Sequence, residues 1–156
     1  MSQATPSSVA VQGAALRVGI VAARFNEELV DALLERAVAA LREAGVKAKS
    51  ITLVRVPGSH EVPWAVQELA RGGRRHVVIG LGVLIAGDTS HHEMVGASVS
   101  QALQRVALKT RVPVINGVMV TNNLAQAEAR CRGKINRGAE FAHAALEMAA
   151  LQRRLS

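Results

Sequence analysis

The chain has 156 residues, of which 49% are hydrophobic and 20% charged, so its composition is that of one globular domain and excludes an intrinsically disordered protein. No apolar run is long enough to span a bilayer, and no secretory leader is expected. The single cysteine, Cys131, excludes an internal disulfide and predicts a cytoplasmic protein. The formal net charge of +7 raises nucleic acid as a partner, but only 2% of the residues are aromatic and no nucleic-acid-binding motif is present, which disfavours that class.

The amino-terminal part of the chain predicts an arm, a strand and a helix. Residues 1–14 are small and polar and indicate a flexible arm ahead of a single domain over residues 15–156. Residues 16–22 (LRVGIVA) predict a buried strand. The apolar stripe within residues 29–45 predicts an amphipathic helix closed by a glycine, and Asn26 is expected to cap its first turn.

Two further strand and helix units follow. Residues 50–56 predict the second strand, after which Pro63 suits the first turn of a helix that ends at a Gly-Gly pair. Residues 76–84 predict the third strand, and apolar spacing predicts a helix from residue 90 to about residue 109.

The start of this third helix is the most informative stretch of the chain. Ser90 and Glu93 have the spacing of a capping box, which places His91 and His92 in the first helical turn. Free backbone N–H groups at a helix start attract anions, and the helix dipole disfavours an imidazolium there. We therefore expect His91 to be a neutral imidazole that can act as a base.

The carboxyl-terminal part predicts a fourth strand at residues 114–120 and helices at residues 124–130 and 137–151. Strands that alternate with helices and are apolar throughout predict a parallel sheet covered by helices on both faces. The turns that follow the four strands then meet at the carboxyl edge of that sheet, which is where α/β proteins bind ligands. The sequence therefore predicts a small-molecule site at this edge.

Several better-known sites are disfavoured. Residues 82–89 (GVLIAGDT) nearly fit a P-loop, but Asp88 stands where the lysine belongs and would repel a triphosphate. No GxGxxG pattern is present, so a dinucleotide site has no support. The candidate metal ligands do not have zinc spacing, so no metal is expected; they are His60, Glu61, His91 and His92.

Basic residues cluster near the end of the chain. This cluster suits a phosphorylated small molecule or a contact between subunits better than a nucleic-acid duplex. Arg130 and Lys134 are four residues apart, which also fits a solvated basic face. Cys131 lies between two arginines, which predicts a lowered thiol pKa, although no His–Asn pair marks it as a nucleophile.

Four motifs, in order and at family spacing, resemble the lumazine synthase family, and the likeness covers nearly all of the chain after about residue 15. They are residues 23–26 (ARFN), 56–63 (VPGSHEVP), 87–91 (GDTSH) and 130–138 (RCRGKINRG). The resemblance implies a flavodoxin-like three-layer α/β/α sandwich with a four-stranded parallel sheet. It also implies the condensation of 5-amino-6-(D-ribitylamino)uracil with 3,4-dihydroxy-2-butanone 4-phosphate to 6,7-dimethyl-8-ribityllumazine, phosphate and water, the penultimate step of riboflavin biosynthesis, with no cofactor.

The resemblance also implies roles for single residues. His91 transfers protons, and Arg130 from an adjacent subunit pairs with the phosphate. Phe25 stacks on the pyrimidine ring, which Leu84 and Ile85 enclose. The remaining contacts to the substrates are assigned to Ser59, His60, Glu61, Gly87, Asp88, Thr89, Asn116 and Lys134. The partners implied are the two substrates and further copies of the chain, with no nucleic acid and no membrane.

The sequence departs from the family pattern at three places. Asp88 puts a carboxylate beside the phosphate position, and Asn116 stands where many members carry an aromatic residue. Residues 134–138 are one residue shorter than the common form, at a turn that bears on assembly. A homopentamer, a decamer and a 60-subunit shell therefore stay open. Two other functions also stay open: a family member that has lost catalysis and serves as a binding or shell protein, and another flavodoxin-like small-molecule binder such as a flavin carrier.

Overall fold

A computed structural model of the chain describes residues 4–7 and 9–156. Residues 1–3 and 8 of the predicted arm lie outside the described residues. At the end of the arm Val11 packs against the core, and the Gly13 N–H donates a hydrogen bond of 2.8 Å to the Ala44 carbonyl. None of the helices in the described part of the chain is both long and apolar enough to cross a membrane.

The centre of the molecule is a four-stranded sheet in which every described pairing is parallel. Its strands are β1 (Val18–Ala23), β2 (Ile51–Val56), β3 (Val77–Ile85) and β4 (Val114–Thr121). Their order across the sheet is β2-β1-β3-β4. The prediction of a four-stranded parallel sheet is confirmed, and each strand begins and ends within one or two residues of its predicted bounds.

Helices cover both faces of this sheet. They are α1 (Glu27–Glu43), α2 (Val62–Ala70), α3 (His91–Thr110), α4 (Leu124–Cys131) and α5 (Arg137–Leu155). One apolar cluster joins a face of the sheet to α1, α4 and α5, and a second joins the other face to α2 and α3. The three-layer α/β/α sandwich predicted from the sequence is therefore confirmed, and α5 continues four residues past its predicted end.

The central strands explain why the sequence specifies this fold. All six residues of β1 are buried, because alternate side chains enter different cores. Ile20 and Ala22 pack in the cluster with α1 and α5, whereas Val21 and Ala23 pack in the cluster with α2 and α3. A strand buried on both faces needs a continuous apolar run, which is the pattern of residues 18–23.

The two predicted helix caps are wrong, because neither the Asn26 nor the Ser90 side chain makes a capping hydrogen bond, although both helices begin where they are predicted. Asn26 has a left-handed backbone (φ 59°), and its side chain caps nothing in α1 but donates a 2.8 Å hydrogen bond to the Val83 carbonyl of β3. Ser90 has φ −80° and ψ 13°, outside the extended conformation that lets a serine oxygen reach the first helical N–H groups, and no capping box forms. Instead Thr89 Oγ1 accepts from the His91 N–H at 3.3 Å.

Gly138 allows α5 to pack closely on α1. A Cβ atom at this position would lie 2.5 Å from the Leu33 carbonyl oxygen and 2.8 Å from Arg36 Cβ. We expect Gly138→Ala to lower the free energy of unfolding by about 1–3 kcal/mol, because overpacking outweighs the better helix propensity of alanine. Urea unfolding at one fixed protein concentration measures this change. The control is His143→Ala, at an exposed position on the same helix. Equal free energies of unfolding in the two variants would show that α5 and α1 can move apart to admit the added methyl group without loss of stability.

Candidate active site

A cavity of about 510 Å³, called here the edge pocket, lies at the carboxyl edge of the sheet. Three turns build it, those that follow β1, β2 and β3. Its lining residues are Phe25, Asn26, Gly58, Ser59, His60, Glu61, Val83, Leu84, Ile85, Gly87, Thr89, His91, His92 and Val95. The size is that of a small-molecule site, and nine of the residues predicted for the site lie together in it.

The turn after β1 is fastened to the turn after β2. The backbone N–H of Arg24 donates to the Val56 carbonyl at 2.8 Å, and that of Phe25 donates to the Pro57 carbonyl at 2.9 Å. These bonds hold Phe25 at the pocket, yet its side chain is 71% exposed. An aromatic ring held by its backbone and open to solvent is suited to stack on a planar ligand.

The turn after β2 packs tightly on β3. Ser59 is buried, and a Cβ atom at position 82 would collide with its Oγ, so the glycine at 82 allows this turn to approach the strand. Glu61 is exposed, and its carboxylate accepts a 3.1 Å hydrogen bond from the Gly58 N–H. The carboxylate is thus oriented by the backbone and keeps further acceptor capacity for a ligand.

The turn after β3 brings two histidines to the pocket at the start of α3. The His91 side chain is exposed, and no described residue hydrogen-bonds its imidazole. The His92 side chain is only 11% exposed; its Nε2 lies 3.9 Å from Glu93 Oε1, and its Nδ1 is buried without a hydrogen-bond partner among the described residues. The first-turn N–H groups of α3 also place the positive end of the helix dipole beside the pocket.

The His92 and Asn26 side chains line the edge pocket although the sequence does not mark them as site residues. The adjacency of His92 to His91 was visible in the sequence, but its burial was not. Asn26 reaches Val83, which is 57 residues away in the chain, so no local pattern indicates this contact.

Four residues assigned to the site do not line the edge pocket of their own chain. Asp88 is exposed just outside the lining. Asn116 on β4 accepts a 3.0 Å hydrogen bond from the Val118 N–H. Arg130 on α4 donates to the Gln126 carbonyl at 3.1 Å, and Lys134 is exposed in the turn that follows. The turn after β4 also stays outside; Thr121 Oγ1 instead donates to the Leu84 carbonyl at 3.1 Å and so ties β4 to the end of β3.

The expectation for Cys131 is wrong. Its thiol is buried beneath α1, and this burial raises the thiol pKa to about 11, because the loss of solvation outweighs the opposite effects of Arg132 and Arg36. Two arginines in sequence do not make a thiolate when the sulfur itself points into the core. Cys131 is a core residue.

Comparisons with known proteins agree with this geometry. Residues 15–153 match the sequence profile of the family described as 6,7-dimethyl-8-ribityllumazine synthase. Proteins of that name from Aquifex aeolicus, Halorhodospira halophila and Ralstonia nicotianae are similar to this chain. The identity is 46% to the Aquifex protein (87% of this chain, 89% of the relative), 44% to the Halorhodospira protein (94% of each) and 43% to the Ralstonia protein (90% and 84%).

Proposed function

The chain belongs to the 6,7-dimethyl-8-ribityllumazine synthase family, and from this membership we infer that it is a transferase that makes 6,7-dimethyl-8-ribityllumazine. The reaction joins 5-amino-6-(D-ribitylamino)uracil to 3,4-dihydroxy-2-butanone 4-phosphate and releases phosphate and water. Within the structure, the edge pocket is the observation that supports this inference, because the motif-bearing turns after three separate strands meet there around one cavity.

The pocket residues suit the steps of this reaction. An amine attacks a ketone, phosphate leaves, and a ring closes with loss of water, which calls for orientation of two substrates and for proton transfer. Phe25 stacks on the pyrimidine ring, and the Glu61 carboxylate accepts from its polar edge. His91 moves protons at the mouth of the pocket, while the N–H groups around Gly87 and Thr89 receive the phosphate.

A second chain completes the site in this proposal. None of the described residues that line the edge pocket is an arginine, although a departing phosphate calls for one. Arg130 of an adjacent copy supplies the guanidinium, and Asn116 and Lys134 of that copy lie against the same opening. Exposed apolar side chains at the end of β4 and the start of α4, Val120 (49% exposed) and Leu124 (55% exposed), give a neighbouring copy a surface to cover. The assembly proposed is a homopentamer or a multiple of it, located in the cytoplasm.

The test of this function is direct. Mixing the protein with both substrates should produce the absorbance of 6,7-dimethyl-8-ribityllumazine at a rate proportional to the protein concentration. Product binding without turnover would instead indicate a family member that has lost catalysis. Flavin absorbance in the purified protein, again without turnover, would indicate a flavin carrier.

A further inference from the structure

A second concave surface lies at the opposite, amino-terminal edge of the sheet, and we call it the basic groove. Its volume is about 540 Å³. Four cationic side chains and two hydroxyls line it: Arg17, Lys49, Arg74, Arg75, Ser50 and Thr52. Because β3 has nine residues, roughly 30 Å separates this groove from the edge pocket.

A tight turn brings two of these arginines to the edge of the sheet. Gly72 and Gly73 both have a positive φ, 84° and 66°, which reverses the chain between α2 and β3. His76 then forms two hydrogen bonds with Arg17 just before β1, one through its backbone and one through its side chain. The His76 N–H donates to the Arg17 carbonyl at 2.8 Å, and the Arg17 N–H donates to His76 Nδ1 at 2.9 Å.

The guanidinium groups of Arg17 and Arg75 are oriented before any ligand arrives. Arg17 Nε donates to the Arg74 carbonyl, while its two terminal nitrogens have no partner in the described part of the chain. Arg75 is fixed by bonds of 3.3 Å to Thr52 Oγ1 and 3.4 Å to the Leu69 carbonyl. The Arg17 guanidinium, held at Nε and with both terminal nitrogens available, is suited to bidentate contact with an oxyanion.

No described carboxylate forms an ion pair with these cations. The ion pairs found in residues 4–7 and 9–156 include none of the four cations of the groove. The local field acts on His76, whose pKa is lowered first by burial and then by the positive charges of Arg17 and Arg153. Cations that converge in a concave surface repel one another, and an anion there relieves that repulsion.

We propose that the basic groove binds a small anion that carries two or more phosphate groups. Several cations line one cavity of small-molecule size, so one phosphate would leave part of the charge unpaired. The groove is compact, and its described lining includes no aromatic residue on which a base could stack, which disfavours a nucleic-acid strand. This site is separate from the reaction, because it shares no residue with the edge pocket.

Isothermal titration calorimetry with sodium tripolyphosphate tests the proposal on the assembled protein. The groove variant Arg17→Gln/Arg74→Gln should bind at least tenfold more weakly than the unmodified protein. The control variant Arg42→Gln/Arg105→Gln, which removes the same charge at exposed positions outside the groove, should bind within about twofold of it. Formation of lumazine should be unchanged in the groove variant, which shows that it remains folded.

A third variant separates the two anion sites. Arg130→Gln removes the guanidinium proposed for the active site and should leave tripolyphosphate binding intact. Equal losses of binding in the groove and control variants would overturn the proposal, and so would loss of binding in Arg130→Gln. No binding to the unmodified protein at about 1 mM tripolyphosphate, a concentration at which even weak binding is detected, would also overturn it. Tighter binding of a single-stranded oligonucleotide than of tripolyphosphate would also overturn it.

Discussion

Replacement of His91 by alanine should lower kcat for lumazine formation by about 10²- to 10⁴-fold, the range that a positioned proton-transfer group contributes. The imidazole lines the edge pocket and makes no hydrogen bond with any described residue, so its loss removes chemistry and not a structural contact. The bond that orders this turn uses the His91 backbone N–H and the Thr89 hydroxyl, and alanine keeps that N–H. Steady-state kinetics with both substrates measures the effect, and urea unfolding should show unchanged stability.

Two other histidines in the same pocket are matched controls. His60 is exposed in the turn after β2 and is assigned a substrate contact but no proton transfer, so His60→Ala should keep kcat within about tenfold of the unmodified enzyme. His92→Gln tests the neighbouring imidazole. If His92→Gln loses turnover while His91→Ala keeps it, the proton-transfer role belongs to His92.

The sequence was sufficient to predict the sheet, because a parallel sheet leaves a direct mark on it. Strands buried on both faces require unbroken apolar runs such as β1, and turns that follow such runs must meet at one edge. Phe25, Glu61 and His91 were therefore predicted to lie together, and they line one pocket. The family resemblance added the chemistry that these three residue types alone did not specify.

The features that were mispredicted depend on contacts that no local pattern records. The Asn26 side chain has a choice between the first turn of α1 and the Val83 carbonyl, and the approach of β3 decides it. The two arginine neighbours of Cys131 in sequence predict a lowered thiol pKa, whereas burial in the core raises it. The basic groove likewise depends on contacts between residues that are distant in the sequence. Its arginines stand at positions 17, 74 and 75, and only the parallel pairing of β1 with β3 brings them to one place.

Replacement of Arg130 by alanine should lower kcat/KM for the butanone phosphate by about 10²-fold, close to the loss of one charge-assisted phosphate contact in a desolvated site. The side chain makes one described hydrogen bond, to the Gln126 carbonyl of its own helix, so the fold should tolerate the change. Arg130→Lys should recover only part of the loss, because an ammonium lacks the bidentate geometry of a guanidinium.

A mixed assembly separates a site built from two chains from a site within one chain. Coexpression of His91→Ala chains with Arg130→Ala chains gives assemblies in which no single chain carries both residues. If each pocket takes its arginine from a neighbour, an Arg130→Ala chain beside a His91→Ala chain forms an intact site, and random mixing at equal amounts restores about a quarter of the sites. Activity that stays at the sum of the two variants would place Arg130 outside the neighbour's pocket. That result would remove the main physical reason for the site to require an assembly, because the described residues that line the edge pocket include no guanidinium to pair with the departing phosphate.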